Sequence, residues 1–306
     1  MRHSGRVRTP LIDNPRSPRV RAVAKLSKRD ARTETGLFLL EGPQAVAEAL
    51  AFRPELVLEL FVTPTALERH PGLAGAAAEA ELEAEFVTEA VLDAMADTVT
   101  PQGVVAVCRQ FPTSVKDIFA EGDDGGPKLI AILEEVRDPG NAGTIIRAAD
   151  AAGADAVVMT GRSVDLYNPK VVRATTGSLF HVPVAVGVDL ASVVARCAES
   201  GIQVIAADVK GKDLLEARRD GVLAAPTAWL FGNEARGLTD DDLAKADRAV
   251  VVPIYGHAES MNLATAASVC LYESAFAQRS LCPRRGRQPP PTRHRTARFG
   301  CVTNEL

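Results

Sequence analysis

The chain lacks most of the features that fix a function class on their own. Cysteine is scarce: Cys108, Cys197, Cys270, Cys282 and Cys301 are odd in number and widely spaced among 306 residues. No two of them have metal-ligand spacing, so the thiols read as reduced, in a cytoplasmic protein, with no metal held. No apolar run approaches the length that spans a bilayer, and no membrane partner is expected. The basic N-terminus lacks the apolar stretch of a secretory signal. A G-x-G-x-x-G turn and a P-loop are missing, so nucleoside-triphosphate chemistry has no motif. No nucleophile, base and orienting group stand at recognisable spacing, which fits hydrolysis poorly. Net charge is only −4, so the body as a whole advertises no polyanion.

What is present is a globular composition, 46% hydrophobic and 24% charged, with length for two domains. The charge is unevenly spread. Arg21, Lys25, Lys28, Arg29 and Arg32 crowd residues 19–34, where Val20, Val23 and Leu26 have helical spacing. A second basic run lies between Arg279 and Arg298. Two basic ends on a mildly acidic body suit a phosphate backbone. The C-terminal run has no periodicity, so 281–306 reads as a solvated, disordered tail.

In chain order, residues 1–18 are rich in Pro, Ser and Arg and read as a flexible, basic N-terminus. A small α/β unit follows over 19–111. Its strands are expected at 36–41, in LVLELFVT, at 84–88 and at 103–111, and its helices at 43–51, 73–80 and 89–96. Residues 112–127 combine Pro, Gly and acids and read as a linker. The second domain, 128–280, opens with KLIAILEEV, a continuous apolar strand of the kind a parallel sheet buries on both faces. Helices are expected near 142–152, 169–175, 189–199, 240–246 and 262–278. They alternate with the strands DAVVMT, HVPVAV, IQVIAAD, AWLF and AVVVPI. That alternation predicts an α/β fold with a mostly parallel sheet.

Four segments of the second domain carry polar side chains at turns. In RDPGNAGTIIRAADAAG, Asn141 sits where a helix starts and Arg147 two turns later. Asn141 is either an N-cap or a ligand group, and Arg147 either a solvated charge or a functional one. In SVDLYNPKVVRATTGSLF, Lys170 and Arg173 are i,i+3 neighbours on a helix from Pro169, which suits a polyanion. Tyr167 and Phe180 could stack a base or pack in the core. In FGNEARG, Gly232 allows close backbone approach, and Glu234 either holds a donor or is a solvated acid. In VVVPIYGHAESMNLATAAS, Ser260 and Asn262 can each cap the next helix, and the proximity predicts that one caps while the other faces a ligand. An Arg, a Glu, an Asn and a Ser on such loops fit transfer of an activated group to a hydroxyl.

In order and spacing, NAGTIIRAADAAG, LFGNEARGL and VPIYGHAESMNLATAAS resemble the three motifs of the SpoU/TrmH family of SPOUT RNA methyltransferases. The resemblance covers about residues 128–279. Residues from RVRAVAKLSKRDARTETGLFLLEGPQAVAEAL look like the L30e-like RNA-binding domain often attached to these enzymes. The family implies a C-terminal trefoil knot, an exception to the rule against knots. It implies S-adenosyl-L-methionine bound largely by backbone at Gly232, Val252 and Met261, with Leu230, Ile254 and Leu263 as walls. The implied reaction is 2′-O-methylation of an RNA ribose, most simply in 23S rRNA. Arg147 would then be catalytic, acting with a phosphate or on a developing oxyanion, because a guanidinium is not deprotonated in a protein. Asn141 and Glu234 would organise it and the substrate, and Ser260 and Asn262 would complete the pocket floor. Arg21, Lys25, Lys28, Arg29, Arg32, Lys170 and Arg173 would contact RNA. The family also implies a homodimer through the methyltransferase domain, with Ala264, Ala266, Ala267 and Ser268 permitting close helix packing. Met261, where Leu is common, and the Ile254–Tyr255 pair are mild departures that keep apolar character. A role in antibiotic self-resistance is a special case of the rRNA reading; a transfer RNA substrate, a non-catalytic ribosome-assembly role and a small-molecule α/β enzyme are the competing readings.

Overall fold

The computed structural model describes residues 11–120 and 125–280. The expectations for residues 1–10, for 121–124 of the linker, for the tail 281–306 and for Cys282 and Cys301 lie outside the described residues.

The first sheet has four strands: β1 (Leu37–Glu41), β2 (Val57–Val62), β3 (Ala84–Phe86) and β4 (Val104–Arg109), in the order β1–β4–β2–β3. β4 runs antiparallel to β1 and β2, whereas β2 and β3 are parallel. The strands alternate between two buried faces, as the period of two demands. Leu39, Phe61, Val105 and Val107 pack against Val20, Val23 and Leu26 of the helix Pro18–Lys25 and its C-cap, and against Val91, Leu92 and Met95. Phe38, Leu40, Leu60, Val62 and Ala106 belong to a larger core that continues into the second domain.

One expectation here is sharpened and another corrected. The helical spacing read within 19–34 belongs to two helices, Pro18–Lys25 and Arg29–Thr35, separated by a turn after Leu26. Residues 11–18 are attached to the domain: Ile12 pairs with Val87, and Ser17 caps the first helix.

The second sheet has six strands: β5 (Leu129–Glu134), β6 (Ala156–Thr160), β7 (Val184–Val188), β8 (Gln203–Asp213), β9 (Thr227–Phe231) and β10 (Arg248–Val251). Their order is β10–β8–β9–β5–β6–β7, and every neighbouring pair is parallel. The chain leaves β5 toward β6 and β7, then returns to place β9 on the other side of β5. That reversal is a topological switch point, where loops at the strands' carboxyl ends open a crevice. The helix Leu263–Ser280 crosses back over the sheet. Trp229 Nε1 donates to Ser274 Oγ at 2.9 Å, with both residues fully buried. Gln278 bonds to the carbonyls of Lys128 and Ala225, and Arg279 to that of Ala152. These bonds fix the last turn of this helix beside the start of β5 and so set where its first turn lies.

The linker is not a free tether. Thr113 N–H bonds to Val184 O, and Ile118 of the helix Val115–Ile118 is buried in the second domain's core. The domains also share side-chain bonds. Arg32 pairs with Asp165, Arg173 with Glu41 and Asp97, and His181 with Glu48.

Candidate active site

The helix Pro139–Ala152 starts beyond the end of β5, and its cap is Asp138, whose Oδ1 accepts from Asn141 N–H at 2.7 Å. Asn141 therefore lies inside the first turn and its side chain is free for other partners, which settles the cap question raised by the sequence. Its Nδ2 donates to Glu234 Oε1 at 3.3 Å, and its Oδ1 accepts from Asn262 Nδ2 at 2.9 Å. Asn262 Oδ1 accepts from the N–H groups of Ala264 and Thr265, so Asn262 is the cap of the C-terminal helix. With that oxygen committed to the helix, its amide nitrogen must face Asn141 Oδ1. Asn141 must in turn aim its own nitrogen at the carboxylate, so one orientation satisfies the whole chain of bonds.

Glu234 also accepts from the N–H groups of Arg137 (3.1 Å) and Asp138 (2.9 Å). Partial burial works to raise its pKa, but the backbone N–H groups and the Asn141 amide outweigh it and hold the carboxyl below the ordinary glutamate value. Glu234 is thus a fixed, ionised acceptor rather than a proton shuttle. The loop carrying it is closed on itself by paired bonds between Asn233 and Gly237. A Cβ on Gly232 would lie 2.6–2.8 Å from Gly237 and Leu238 backbone atoms, so only glycine fits this loop.

Two further residues brace the crevice, and the sequence reading assigned them no role. Asn233 Nδ2 donates to Glu135 O at 2.8 Å, while its Oδ1 accepts from Ala235 and Arg236 N–H. Glu135 has φ +50°, and its carboxylate faces Arg236 (2.6 Å), Arg137 (3.2 Å) and Arg162 (3.6 Å). Burial pushes its pKa up, and the three guanidinium groups overcome that and lower it. The signal available in the sequence was an acid pair, Glu134–Glu135, at the end of a strand bordering two of the quoted motifs.

Arg147 is exposed, and Nη1 donates to Thr176 Oγ1 at 3.3 Å. It lies six residues beyond Asn141, about 9 Å along the axis and roughly 120° around it. The structure therefore does not bring Arg147 into the Glu234–Asn141–Asn262 chain, but places it on the helix face toward the end of the helix Pro169–Thr175. Thr176 has φ +52°, a conformation in which a β-branched residue is strained. Ser260 is exposed and its hydroxyl has no partner among the described residues, so it joins none of the other groups.

Of the cofactor candidates, Val252, Met261 and Leu263 are partly buried and Ile254 is 40% exposed. These half-covered apolar side chains lie on or next to the segment between β10 and the helix that Asn262 caps. Leu230 differs: it is wholly buried beside Ile132 and Leu238, so it can offer the site only backbone.

The expected RNA contacts divide as sharply. Arg21, Lys25, Lys28, Arg29 and Lys170 are exposed. Arg32 is 2% exposed and makes four bonds, two to Asp165 and one each to the carbonyls of Leu26 and Ser27. It joins the domains, with four of its five N–H donors bonded inside the protein and the side chain out of reach of a phosphate on the surface, so its place among the RNA contacts is corrected. Arg173 is bonded by Glu41 and Asp97, which largely neutralise it. Tyr167 and Phe180 are core residues: Tyr167 Oη accepts from Phe111 N–H, and Phe180 stacks on Phe111.

An ionised acceptor and two amides meet at a crevice at a switch point, with the exposed Arg147 on another face of the same helix, and comparison with known proteins gives the chemistry. Residues 128–272 match the model of the SpoU rRNA methylase family, and 39–114 match the substrate-binding domain of RNA 2′-O ribose methyltransferases. The 23S rRNA (guanosine(2553)-2′-O)-methyltransferase RlmP of Bacillus subtilis is 34% identical over 262 residues, 85% of this chain and 97% of that one. The crystal structure of the AdoMet-bound rRNA methyltransferase from Sinorhizobium meliloti superposes with a TM-score of 0.74 at 30% identity, covering 90% of this chain and 99% of that one. The SpoU methyltransferase AviRb from Streptomyces viridochromogenes gives 0.69 at 29% identity, covering 86% and 98%. The class is RNA 2′-O-ribose methyltransferase, with S-adenosylmethionine as the methyl donor. Within that class, the chain belongs to the SpoU rRNA methylase family.

Proposed function

We propose that this protein methylates a ribose 2′-hydroxyl of 23S rRNA. The observation that carries the reading is the Glu234–Asn141–Asn262 chain, which ties together three loops of the crevice from residues far apart in sequence. The printed activities of RlmP and of the related RlmB enzymes support the choice of RNA. Bound S-adenosylmethionine supplies an electrophilic methyl group. Backbone groups at Gly232, Val252 and Met261 would hold it, Ile254 and Leu263 would cover it, and Leu230 would contribute main chain alone. Glu234, Asn141 and Asn262 fix the loops so that acceptor and donor meet in line without reorganisation. Arg147 binds an RNA phosphate beside the reacting ribose; that phosphate takes the 2′-hydroxyl proton, and the guanidinium stabilises the developing oxyanion. Ser260 contacts the ribose. Arg21, Lys25, Lys28, Arg29 and Lys170 bind phosphates.

The same reading has the protein working in the cytoplasm as a homodimer through the methyltransferase domain, with the segment from β9 to the C-terminal helix threaded as a knot. Ala264 and Ala267 are buried in the chain's own core, so the dimer face falls elsewhere on that helix, around Tyr272 and the half-exposed Phe276.

The test is transfer of labelled methyl from S-adenosylmethionine to purified 23S rRNA, 16S rRNA and tRNA, followed by mapping of the modified ribose. Label on a 23S ribose 2′-oxygen is expected. Label confined to tRNA, or none despite cofactor binding, would sink the reading.

A further inference from the structure

We propose that the cleft between the two domains, beside Arg147, is a binding site for one unpaired nucleobase of the RNA. This rests on the methyltransferase reading for the identity of the polymer, but not for the chemistry of the cleft. The cavity measures ≈ 380 Å³, within the roughly 300–1,000 Å³ of small-ligand sites and ample for a heterocycle with part of its sugar. One wall is Gln44, Thr98, Thr100 and Gln102 of the N-terminal domain, and the other is Arg173 and Thr176 of the methyltransferase domain.

The polar groups decide the ligand class. The cleft's cation, Arg173, already faces Glu41 at 2.9 Å and Asp97 at 3.0 Å, and Glu41 also accepts from Thr98 N–H. With two carboxylates on one guanidinium, an added phosphate would meet net negative charge, which argues against an anion site. The side chains of Gln44, Gln102, Thr98 and Thr100 have no hydrogen-bond partner among the described residues. Each glutamine presents two donors and an acceptor, the mixed pattern that pairs with a base edge. Gly42, between Glu41 and the helix that carries Gln44, has φ +95°, and a Cβ there would lie 3.3 Å from Gln102 Oε1. Glycine at this position leaves the Gln102 amide room to turn toward an occupant.

The cleft is also coupled to the reacting centre. Thr176 lines it and bonds to Arg147, so an occupant touches the residue that holds the guanidinium. None of the cleft's lining comes from the 231–238 or 251–262 loops, so cofactor and base do not compete. A loop nucleotide flipped into the cleft would anchor its chain next to Arg147, and the low cost of extracting an unpaired base would favour single-stranded targets.

The experiment uses the full chain with 23S rRNA. The Gln44→Ala/Gln102→Ala variant, both positions exposed, should raise the KM for RNA about tenfold, the loss of one or two neutral hydrogen bonds, with kcat and cofactor affinity little changed. Gln102→Asn in the single background should recover part of the loss. In parallel, rRNA carrying 4-thiouridine or 6-thioguanosine is photocrosslinked to the parent protein, and crosslinked peptides spanning residues 41–45 and 97–104 are expected. A folded double variant with the parent's KM overturns the proposal. If that variant does not fold, crosslinks lying wholly outside those peptides overturn it. Crosslinks in the cleft from a parent that methylates no RNA would retain the base site while removing the methyltransferase reading.

Discussion

The two sheets are made of similar apolar strands, yet they put their loops to different use. In the N-terminal sheet, β1 and β2 oppose β4, so connections leave from both ends and no single edge collects them. In the second sheet every pair is parallel, so all carboxyl ends share one edge and the β5 and β9 loops meet there. Polar chemistry gathers at that edge, whereas the N-terminal domain shows exposed cations on its helices. The same contrast separates two arginines. Arg32 is buried with all its bonds internal and joins the domains. Arg147 is exposed, with one 3.3 Å bond, and retains donors for a substrate.

The strongest way to break the comparison is to remove each arginine. Arg147→Ala should lower kcat about 10²–10³-fold, as loss of a single donor to a developing oxyanion does, with cofactor binding and melting temperature near the parent's. Single-turnover methylation beside cofactor titration checks this, and parental activity would strip Arg147 of its role. Arg32→Ala should do the reverse. It leaves the partly buried Asp165 carboxylate without its guanidinium, held only by Tyr167 N–H among the described residues, so stability should fall by about 3 kcal/mol, read by denaturant unfolding, with no specific loss of RNA affinity in protein that remains folded.

A smaller effect tests the loop junction. Asn262→Ala removes a helix cap, worth about 1 kcal/mol, and releases Asn141. Activity should fall further than stability, whereas Asn262→Asp should keep the cap but set a carboxylate against Asn141 Oδ1. Parental activity in Asn262→Asp would show that only the cap matters. For the cationic face, Lys25→Ala and Lys28→Ala together should weaken RNA binding regardless of sequence and flatten the salt dependence by about one unit of slope per lost phosphate contact. An unchanged slope would remove this face from the interface.

The smallest effect concerns pH. His181 Nδ1 faces Asp150 at 2.9 Å and Nε2 faces Glu48 of the N-terminal domain at 3.2 Å. The hydrogen bond to Asp150 raises its pKa, partial burial opposes this, and the charges of Asp150 and Glu48 add to the rise. A raised folded-state value means that the contribution to stability is fully present below the ordinary histidine pKa, about 6.5, and is lost as pH rises through the folded-state value. The melting temperature should decline across that interval in the parent and less in His181→Gln.

Much of this was legible in the residues. The apolar run of β5, the helix Pro169–Thr175 opened by Pro169, and the helix of 189–199 were all correctly placed, because period and cap chemistry are local signals. β8 was not. The sequence reading ended it at Asp208, where VKGKD turns polar, but the strand runs to Asp213 because β10 pairs with Lys212 and Asp213 after a register shift. Arg32 was misread for a related reason. Its neighbours are exposed cations, and nothing within helical range reveals Asp165, 133 residues away.

The sequence by itself determined the α/β alternation, the three motifs and the family, because each is written in contiguous residues. Only the tertiary structure decided how those motifs meet. Asn262 became a cap whose free amide nitrogen faces Asn141, Asn141 turned its own amide to Glu234, and Arg147 was set on another face of the same helix beside Thr176 and the interdomain cleft. Hydrogen-bond direction and helix phase are properties of elements placed against one another, and the strand order that places β9 beside β5 is what brings these residues within reach.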